Sequence, residues 1–490
     1  MSIDQIIDNG FKVLADVTET LIMWSATISF DPVTEGGEPV VKKIPFIVVW
    51  LAAAAFFFTF YLNFLNLRHF KHAFDCLRQK FHEPDAKGQI SNFDSLAACL
   101  SATIGLGNIA GVAVAVTIGG AGAAFWMGLM GLFGMASKYA EVTMGLKYRT
   151  FSDPSRPDEV SGGPMYYIRA AFEQRNLKTL GLFMAAAYAV FCLAGAIGAG
   201  NMFQANQVYQ QVLYATGGTE SFLFEKAWMF GIGLAVLAGL VTLGGVQSLA
   251  RVTSKLTPAM AGLYILAGFA VIAVNYQNII PAVSSIFTSA WSLEAGWGGF
   301  IGAIIAGMQR AFFATEAGIG TAAIIQASAK TNYPVRQGLV GGLGPFLDTF
   351  FVCMITALVI VISGVDANGS VEGIALTSAA FETVFPWFDY VLTMVVFLFA
   401  YSTIIVYSYY GEKCLGYLIG ERKSTAIAFR IIFLCFVVVG AASSLTNVVR
   451  FADAVFLSMA IPNIIALYLL APELKRDTKA YLIEMGLLKK

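Results

Sequence analysis

The chain has 490 residues, 57% of them hydrophobic and only 13% charged, with a formal net charge of zero. Soluble domains carry about a quarter charged residues, so this composition describes a polytopic membrane protein, and the balanced charge gives no footprint for nucleic acid. The three histidines (His69, His72 and His82) share one polar loop, and the six cysteines lack metal-ligand or C-x-x-C spacing, which argues against a metal centre or a histidine proton relay.

Residues 1–30 lack the basic start of a signal peptide and carry Asp4, Asp8, Asp16 and Glu19. They are expected to form a short amphipathic helix at the membrane surface, within an extracytoplasmic segment 1–44. Eleven apolar stretches follow: 45–66, 94–117, 122–146, 179–213, 226–243, 255–275, 298–327, 336–363, 387–411, 425–445 and 447–471. A membrane-spanning helix needs ~20 such residues. The loops 276–297 and 364–386 hold amphipathic stretches, Ile279 to Trp291 and Ala375 to Phe385, that read as surface helices covering a site from outside. Those two loops have no Lys or Arg, whereas 67–93 holds five, 147–178 six and the tail 472–490 five. Positive loops stay inside, which predicts an outer N-terminus and a cytoplasmic C-terminus.

Two of the spans are punctuated at their centres by G-x-G. One carries Thr103-Ile104-Gly105-Leu106-Gly107-Asn108, the other Phe312-Phe313-Ala314-Thr315-Glu316-Ala317-Gly318-Ile319-Gly320. Glycine in a helix interior costs ~1 kcal/mol, and unpaired backbone survives at membrane depth only where it lines a cavity or is buried in protein. The first span, 45–66, has no break. The ten after it divide into 94–275 and 298–471, each opening on a broken helix, in opposite orientations. The expected fold is an all-α polytopic membrane protein, a 5+5 inverted repeat with one extra N-terminal helix, and the repeat logic points to a binding site at the breaks.

At the first break, carbonyls are freed near Ile104 and N–H groups around Gly105, Gly107 and Asn108, with Thr103 alongside; a helix start suits a carboxylate. At the second, the carbonyls of Phe312 and Phe313 and the carboxylate of Glu316 suit an ammonium. Small residues that merely let helices pack would give the same G-x-G, and Glu316 has Arg310 as an internal partner within reach. Lys138 and Asp348 read as sitting nearer the cytoplasmic ends of their helices, where snorkelling or pairing accounts for them, with Glu141 three residues from Lys138. In 387–411, Ser402 and Thr403 either bond back to carbonyls of their own helix or supply neutral oxygens to a monovalent cation. Asn201, Gln204 and Asn206 either line the pocket or bond between helices.

Several runs resemble the alanine or glycine:cation symporter family: Asn108-Ile109-Ala110-Gly111, Gly119-Gly120-Ala121-Gly122, Ser161-Gly162-Gly163-Pro164-Met165, Gly200-Asn201-Met202, Gln309-Arg310 with Glu316-Ala317-Gly318, and Tyr401-Ser402-Thr403-Ile404-Ile405. The resemblance covers about residues 95–415. It implies an eleven-helix protein of the leucine-transporter fold, driven by sodium. It further implies that Phe313 closes over the substrate, and that the carbonyls of Ser101, Ile104 and Phe399 with the hydroxyls of Ser402 and Thr403 hold Na⁺. Ala314 stands where a second sodium site needs threonine, so one Na⁺ is expected per substrate. The reading is a symporter of a small neutral amino acid, alanine or glycine, in a bacterial or archaeal cytoplasmic membrane, with no organic cofactor and no obligate protein partner. The alternatives are a glutamine or broader neutral amino-acid carrier, a proton-coupled permease and, from another class, an ion channel. An enzyme is disfavoured because no His/Asp/Glu cluster suits hydrolysis.

Overall fold

The computed structural model describes residues 2–23, 25–30, 40–81, 83, 86–151, 160–242, 245–292, 296–365, 373–384 and 386–488. His82 and Phe385, both in expected features, lie outside the described residues.

In chain order the elements are α1 (Ile3–Ile22), β1 (Ser25–Phe30), β2 (Val40–Pro45), α2 (Phe46–Tyr61), α3 (Leu65–Arg68), α4 (Phe70–Leu77), α5 (Asn92–Thr103), α6 (Ala110–Gly119), α7 (Gly122–Lys147), β3 (Thr150–Phe151), β4 (Val160–Ser161), α8 (Pro164–Glu173), α9 (Lys178–Ile197), α10 (Phe203–Ala215) and α11 (Ala227–Thr242). There follow α12 (Gly245–Val274), α13 (Ile279–Trp291), α14 (Gly296–Thr315), α15 (Thr321–Gln326), α16 (Pro334–Gly341), α17 (Met354–Ser363), α18 (Ile374–Glu382), α19 (Phe388–Ile419), α20 (Lys423–Ala442), α21 (Leu445–Ser458) and α22 (Ala460–Glu484). The chain is mostly helical, and the strict all-α expectation is corrected by two small antiparallel strand pairs, β1–β2 and β3–β4. Each of the eleven apolar stretches carries helix. The one expected at 255–275 begins ten residues earlier, at Gly245, and carries Pro258 in its interior.

Among the described residues, six helices are long and apolar enough to cross a membrane, or seven when the bent pair over 92–119 counts as one span. Others are shorter, such as Phe46–Tyr61 and Ala227–Thr242. Two helical runs are interrupted by wide turns of π-helix, Gly198–Met202 between α9 and α10 and Phe346–Cys353 before α17.

The amphipathic N-terminal helix is present. A reciprocal capping box closes it, Gln5 N–H to Ser2 Oγ at 3.3 Å and Ser2 N–H to Gln5 Oε1 at 3.1 Å. Its acidic side chains reach the ends of other helices. Asp4 accepts from the N–H groups of Ala227 and Trp228 at 2.9 and 3.1 Å, capping α11, and Asp8 accepts from Ser444 N–H at 2.8 Å. Asp16 and Glu19 pair with Arg450 on α21.

The two broken spans are joined at one end. The strand-like segment entering α5 bonds to the one leaving α15, with Gln89 N–H to Ser328 O and Lys330 N–H to Ile90 O, both 2.8 Å. Arg149 straps this junction. Its guanidinium donates to the carbonyls of Ala327, Ala329, Lys87 and Thr331 at 2.7–2.9 Å. Burial lowers the Arg149 pKa to about 10, which leaves it charged at neutral pH.

A charge-assisted hydrogen bond contributes about 1.5–3 kcal/mol. Arg149→Ala should therefore lower the melting temperature in detergent and raise hydrogen exchange at Ile90 and Lys330. Arg149→Lys should recover only part of the loss, because one ammonium cannot span a planar fork of four acceptors. Mass-resolved exchange on the three proteins checks this.

Candidate functional site

The first break is held open by its surroundings. α5 ends at Ile104 (φ −75°, ψ 75°), and the chain bends by 59° before α6. Most freed groups find partners. Gly105 N–H bonds to Thr103 O at 2.8 Å, Leu106 N–H to Gln204 Oε1 at 3.2 Å and Asn108 N–H to Gly105 O at 3.2 Å. Thr356 Oγ1 donates to Asn108 O at 3.0 Å and Thr377 Oγ1 to Ile109 O at 3.4 Å. Gly107 N–H meets no partner among the described residues, so it is one backbone donor with capacity for a ligand.

On one side of this break four of the five expected cation ligands converge. Thr403 Oγ1 lies 3.0 Å from both Ser101 O and Phe399 O, and Ser402 Oγ lies 2.9 Å from Phe399 O and 3.5 Å from Ser101 O. The hydroxyls thus do bond back along α19, and they also bridge to α5. All four residues are buried, and Ser101 Oγ has no hydrogen-bond partner. The set is neutral oxygen without a carboxylate, suited to a monovalent hard cation. No hydrogen bond ties Ile104, the fifth, to this group among the described residues.

The second break falls later than expected. α14 continues to Thr315, so the Phe312 carbonyl accepts from Glu316 N–H at 3.0 Å and is not free. Glu316 turns into the left-handed region (φ 55°), followed by Gly318 (φ 88°) and Gly320 (φ 93°). Only the glycines adopt that geometry without strain. Neighbouring helices again supply partners. Lys138 Nζ donates to Thr315 O at 2.8 Å, and Asn463 Nδ2 donates to Gly318 O at 2.9 Å and Glu141 Oε1 at 3.0 Å.

Between the breaks lies a narrow cleft of about 10 Å³, room for about one water, lined by Ala102, Thr103, Gly105, Gly107, Ala199, Gln204, Phe313, Glu316, Tyr407 and Phe456. One Glu316 oxygen accepts from the Tyr407 hydroxyl, the other from the Thr321 hydroxyl. The Phe313 ring meets Phe203 and Phe456 edge-on, with centroids 5.4 and 5.5 Å away. The Arg310 guanidinium sits 5.1 Å over that ring and pairs with Asp453. A larger cleft of about 340 Å³ opens on the α1 side of this pair, lined in part by Glu19, Gln309 and Arg450.

Several expectations are corrected here. Glu316 does not pair with Arg310. Asn201 and Asn206 do not line the cleft: their amides donate to Phe433 O and to Gly440 O and Ser443 O, satisfying α20 and its end. Phe312 is packed in the core, and the Asn108 amide turns to Asp348 O at 3.0 Å. Lys138 and Asp348 do not snorkel, since neither exposes any surface, and Lys138 forms no ion pair with Glu141.

The profile of the sodium:alanine symporter family matches residues 30–487. The chain belongs to that family. Against the sodium/alanine symporter AgcS of Methanococcus maripaludis, this family member is 41% identical over 441 residues, covering 89% of its own length and 94% of the relative's. Against the probable sodium/glutamine symporter GlnT of Bacillus subtilis it is 31% identical over 442 residues, covering 89% and 87%. The crystal structure of MhsT in complex with L-phenylalanine superposes with a TM-score of 0.52 at 13% identity, over 80% of this chain and 99% of that one. That likeness establishes a shared fold. The family is one of multi-pass membrane transporters.

Tyr407, Phe456 and Ala199 were not legible as cleft residues. Tyr407 stands one helical turn beyond Thr403, a spacing that puts both on one face. Its partner signal is Gly200, where a Cβ would come within 2.0 Å of the Tyr407 ring.

The two glycines of the first break face different constraints. A Cβ on Gly105 would lie 2.7 Å from Thr403 Oγ1, whereas one on Gly107 would meet Phe313 Cδ1 at 3.4 Å. Gly105→Ala should raise the Na⁺ concentration giving half-maximal thermal stabilisation by about tenfold, roughly 1.4 kcal/mol. Gly107→Ala should shift it by less than about twofold. A Na⁺ titration of melting temperature in detergent compares the two.

Proposed function

We propose that this chain is a sodium-coupled symporter that imports a small neutral amino acid, alanine or glycine, by alternating access. The observation that carries the reading is the meeting of the Ser402 and Thr403 hydroxyls with the Ser101 and Phe399 carbonyls beside the cleft between the two breaks. Neutral oxygens there pair α5 with α19, so a cation bound among them favours one arrangement of the two helices over another. That differential is what couples an ion to a conformational change.

The substrate carboxylate meets Gly107 N–H and the first turn of α6, where the helix start carries positive partial charge. The substrate ammonium meets Glu316, whose oxygens keep acceptor capacity beyond their bonds to Tyr407 and Thr321, and Phe313 closes over both. Gln204 holds the break in shape through Leu106 N–H. The 41% identity to a sodium/alanine symporter, against 31% to a probable sodium/glutamine symporter, favours alanine over glutamine. An enclosed site between two breaks disfavours a channel, which needs a continuous pore.

In this reading eleven helices span the cytoplasmic membrane of a bacterium or archaeon. The extra helix is 45–66, and the inverted repeats are 94–275 and 298–471. The segment 1–44 is extracytoplasmic and 472–490 cytoplasmic. The breaks tied through Arg149 then face the cytoplasm, and α1 covers the outer side.

Proteoliposomes loaded without Na⁺ should take up labelled alanine against its gradient only when Na⁺ is placed outside. Uptake of equal extent with K⁺ in place of Na⁺ would overturn the reading. The double variant Ser402→Ala/Thr403→Ala removes two oxygen ligands. It should raise the Na⁺ concentration for half-maximal uptake by about tenfold or more, while uptake at saturating Na⁺ falls far less.

A further inference from the structure

Asn463 on α22 has no exposed surface, and three separate segments engage its amide. Nδ2 donates to Gly318 O at 2.9 Å, inside the second break, and to Glu141 Oε1 on α7 at 3.0 Å. Oδ1 accepts from the Tyr167 hydroxyl on α8. A flipped amide would set its oxygen against the Gly318 carbonyl, so the partners fix its orientation. The break is packed closely here: a Cβ on Gly320 would lie 3.2 Å from Asn463 Cγ, and one on Gly318 would lie 2.6 Å from Leu51 Cδ2 of α2. The turn held in this way contains Glu316, which has a φ of 55°. A residue with a side chain stays in that region only where its surroundings impose it. Two clamps flank it. Lys138 Nζ holds Thr315 O at 2.8 Å on one side, and Asn463 holds Gly318 O on the other. Between them Ile319 N–H closes on Glu316 O at 3.2 Å. Asn463 itself does not line the cleft.

We infer that Asn463 is a positioning residue for substrate recognition: by fixing the Gly318 carbonyl it keeps Glu316 in the left-handed region, with its carboxylate in the cleft. The inference rests on the reading of Glu316 as the partner of the substrate ammonium. Without the bond to Gly318, the turn relaxes toward an ordinary backbone conformation. The Glu316 oxygens then leave their places beside Tyr407 and Thr321. The cation ligands belong to α5 and α19 and share no hydrogen bond with Asn463 among the described residues. Losing the Asn463 amide therefore weakens alanine binding and spares Na⁺ binding.

The test uses the full chain purified in detergent. Calorimetry measures alanine binding at saturating Na⁺, and the rise in melting temperature without alanine measures Na⁺ binding. Asn463→Leu keeps the size of the side chain and deletes the amide. It should raise the Kd for alanine by about tenfold and shift the half-stabilising Na⁺ concentration by less than about twofold. Tyr167→Phe removes the third bond of the same amide but leaves both amide hydrogens placed. It should lower the melting temperature and change the alanine Kd by less than about twofold. In a Glu316→Gln background, adding Asn463→Leu should cost less than about twofold more, because the group it positions is already gone. Asn463→Leu with wild-type alanine affinity overturns the inference. So do parallel losses of alanine and Na⁺ affinity, an equal loss in Tyr167→Phe, or an additive cycle with Glu316→Gln. Should Asn463→Leu not fold, Asn463→Asp keeps the shape and removes the amide hydrogens, and wild-type alanine affinity in that protein overturns it equally. Glu316→Gln with unchanged alanine affinity would instead sink the reading of Glu316 on which the inference rests.

Discussion

Backbone amides that leave a helix inside a membrane must find other partners, and this structure is arranged around that demand. Each break frees a handful of N–H and C=O groups where water cannot reach them, at a cost of several kcal/mol for each one left bare. Side chains from helices distant in sequence answer. Gln204, Thr356 and Thr377 serve the first break, and Lys138 and Asn463 the second. The breaks are thereby welded to α10, α17, α18, α7 and α22. Gly107 N–H and the oxygens around Ser101 are among the groups left with capacity for a guest.

Charge is distributed by the same logic. Arg310 pairs with Asp453 at the edge of the larger cleft and lies across the Phe313 ring, so one guanidinium joins α14, α21 and the aromatic roof of the small cleft. A displacement of α21 cannot leave Phe313 untouched. Deeper in, charges sit apart and are met by dipoles: Glu316 by two hydroxyls, Lys138 by a carbonyl. Pairs of opposite ions in direct contact would lock their helices together. Hydroxyls and carbonyls hold their partners less firmly, which suits helices that have to part and rejoin.

How much of this was legible beforehand follows from the range of the forces involved. The two G-x-G breaks are local backbone chemistry, and they lie in the expected spans. Thr103, Gly105, Gly107, Gln204, Phe313 and Glu316 do surround one cleft. Ser402 and Thr403 reach α5 because the two hydroxyls share the inner face of α19. Three readings depart from the structure. Asn201 and Asn206 are polar residues in an apolar run, and sequence alone cannot say whether such a residue faces a cavity or another helix's orphan carbonyls; that depends on α20, more than two hundred residues away. The glycines and aromatic pair place the second break after Phe313, whereas α14 continues to Thr315. Lys138 reads from sequence as a residue near a helix end, but its burial is set by the elements packed around α7, which lie far from it in the chain.

The N-terminal helix carries a practical consequence. Asp4 caps α11 while the neighbouring Ser2 and Gln5 close the start of α1, so the first residues of the chain are part of a joint between separate helices. An affinity tag or fluorescent reporter fused at that end would sit directly beside the joint that Asp4 makes with α11. The opposite end leaves α22 beyond Glu484 and enters no such joint among the described residues, so it is the natural place to attach a handle for purification, immobilisation or imaging.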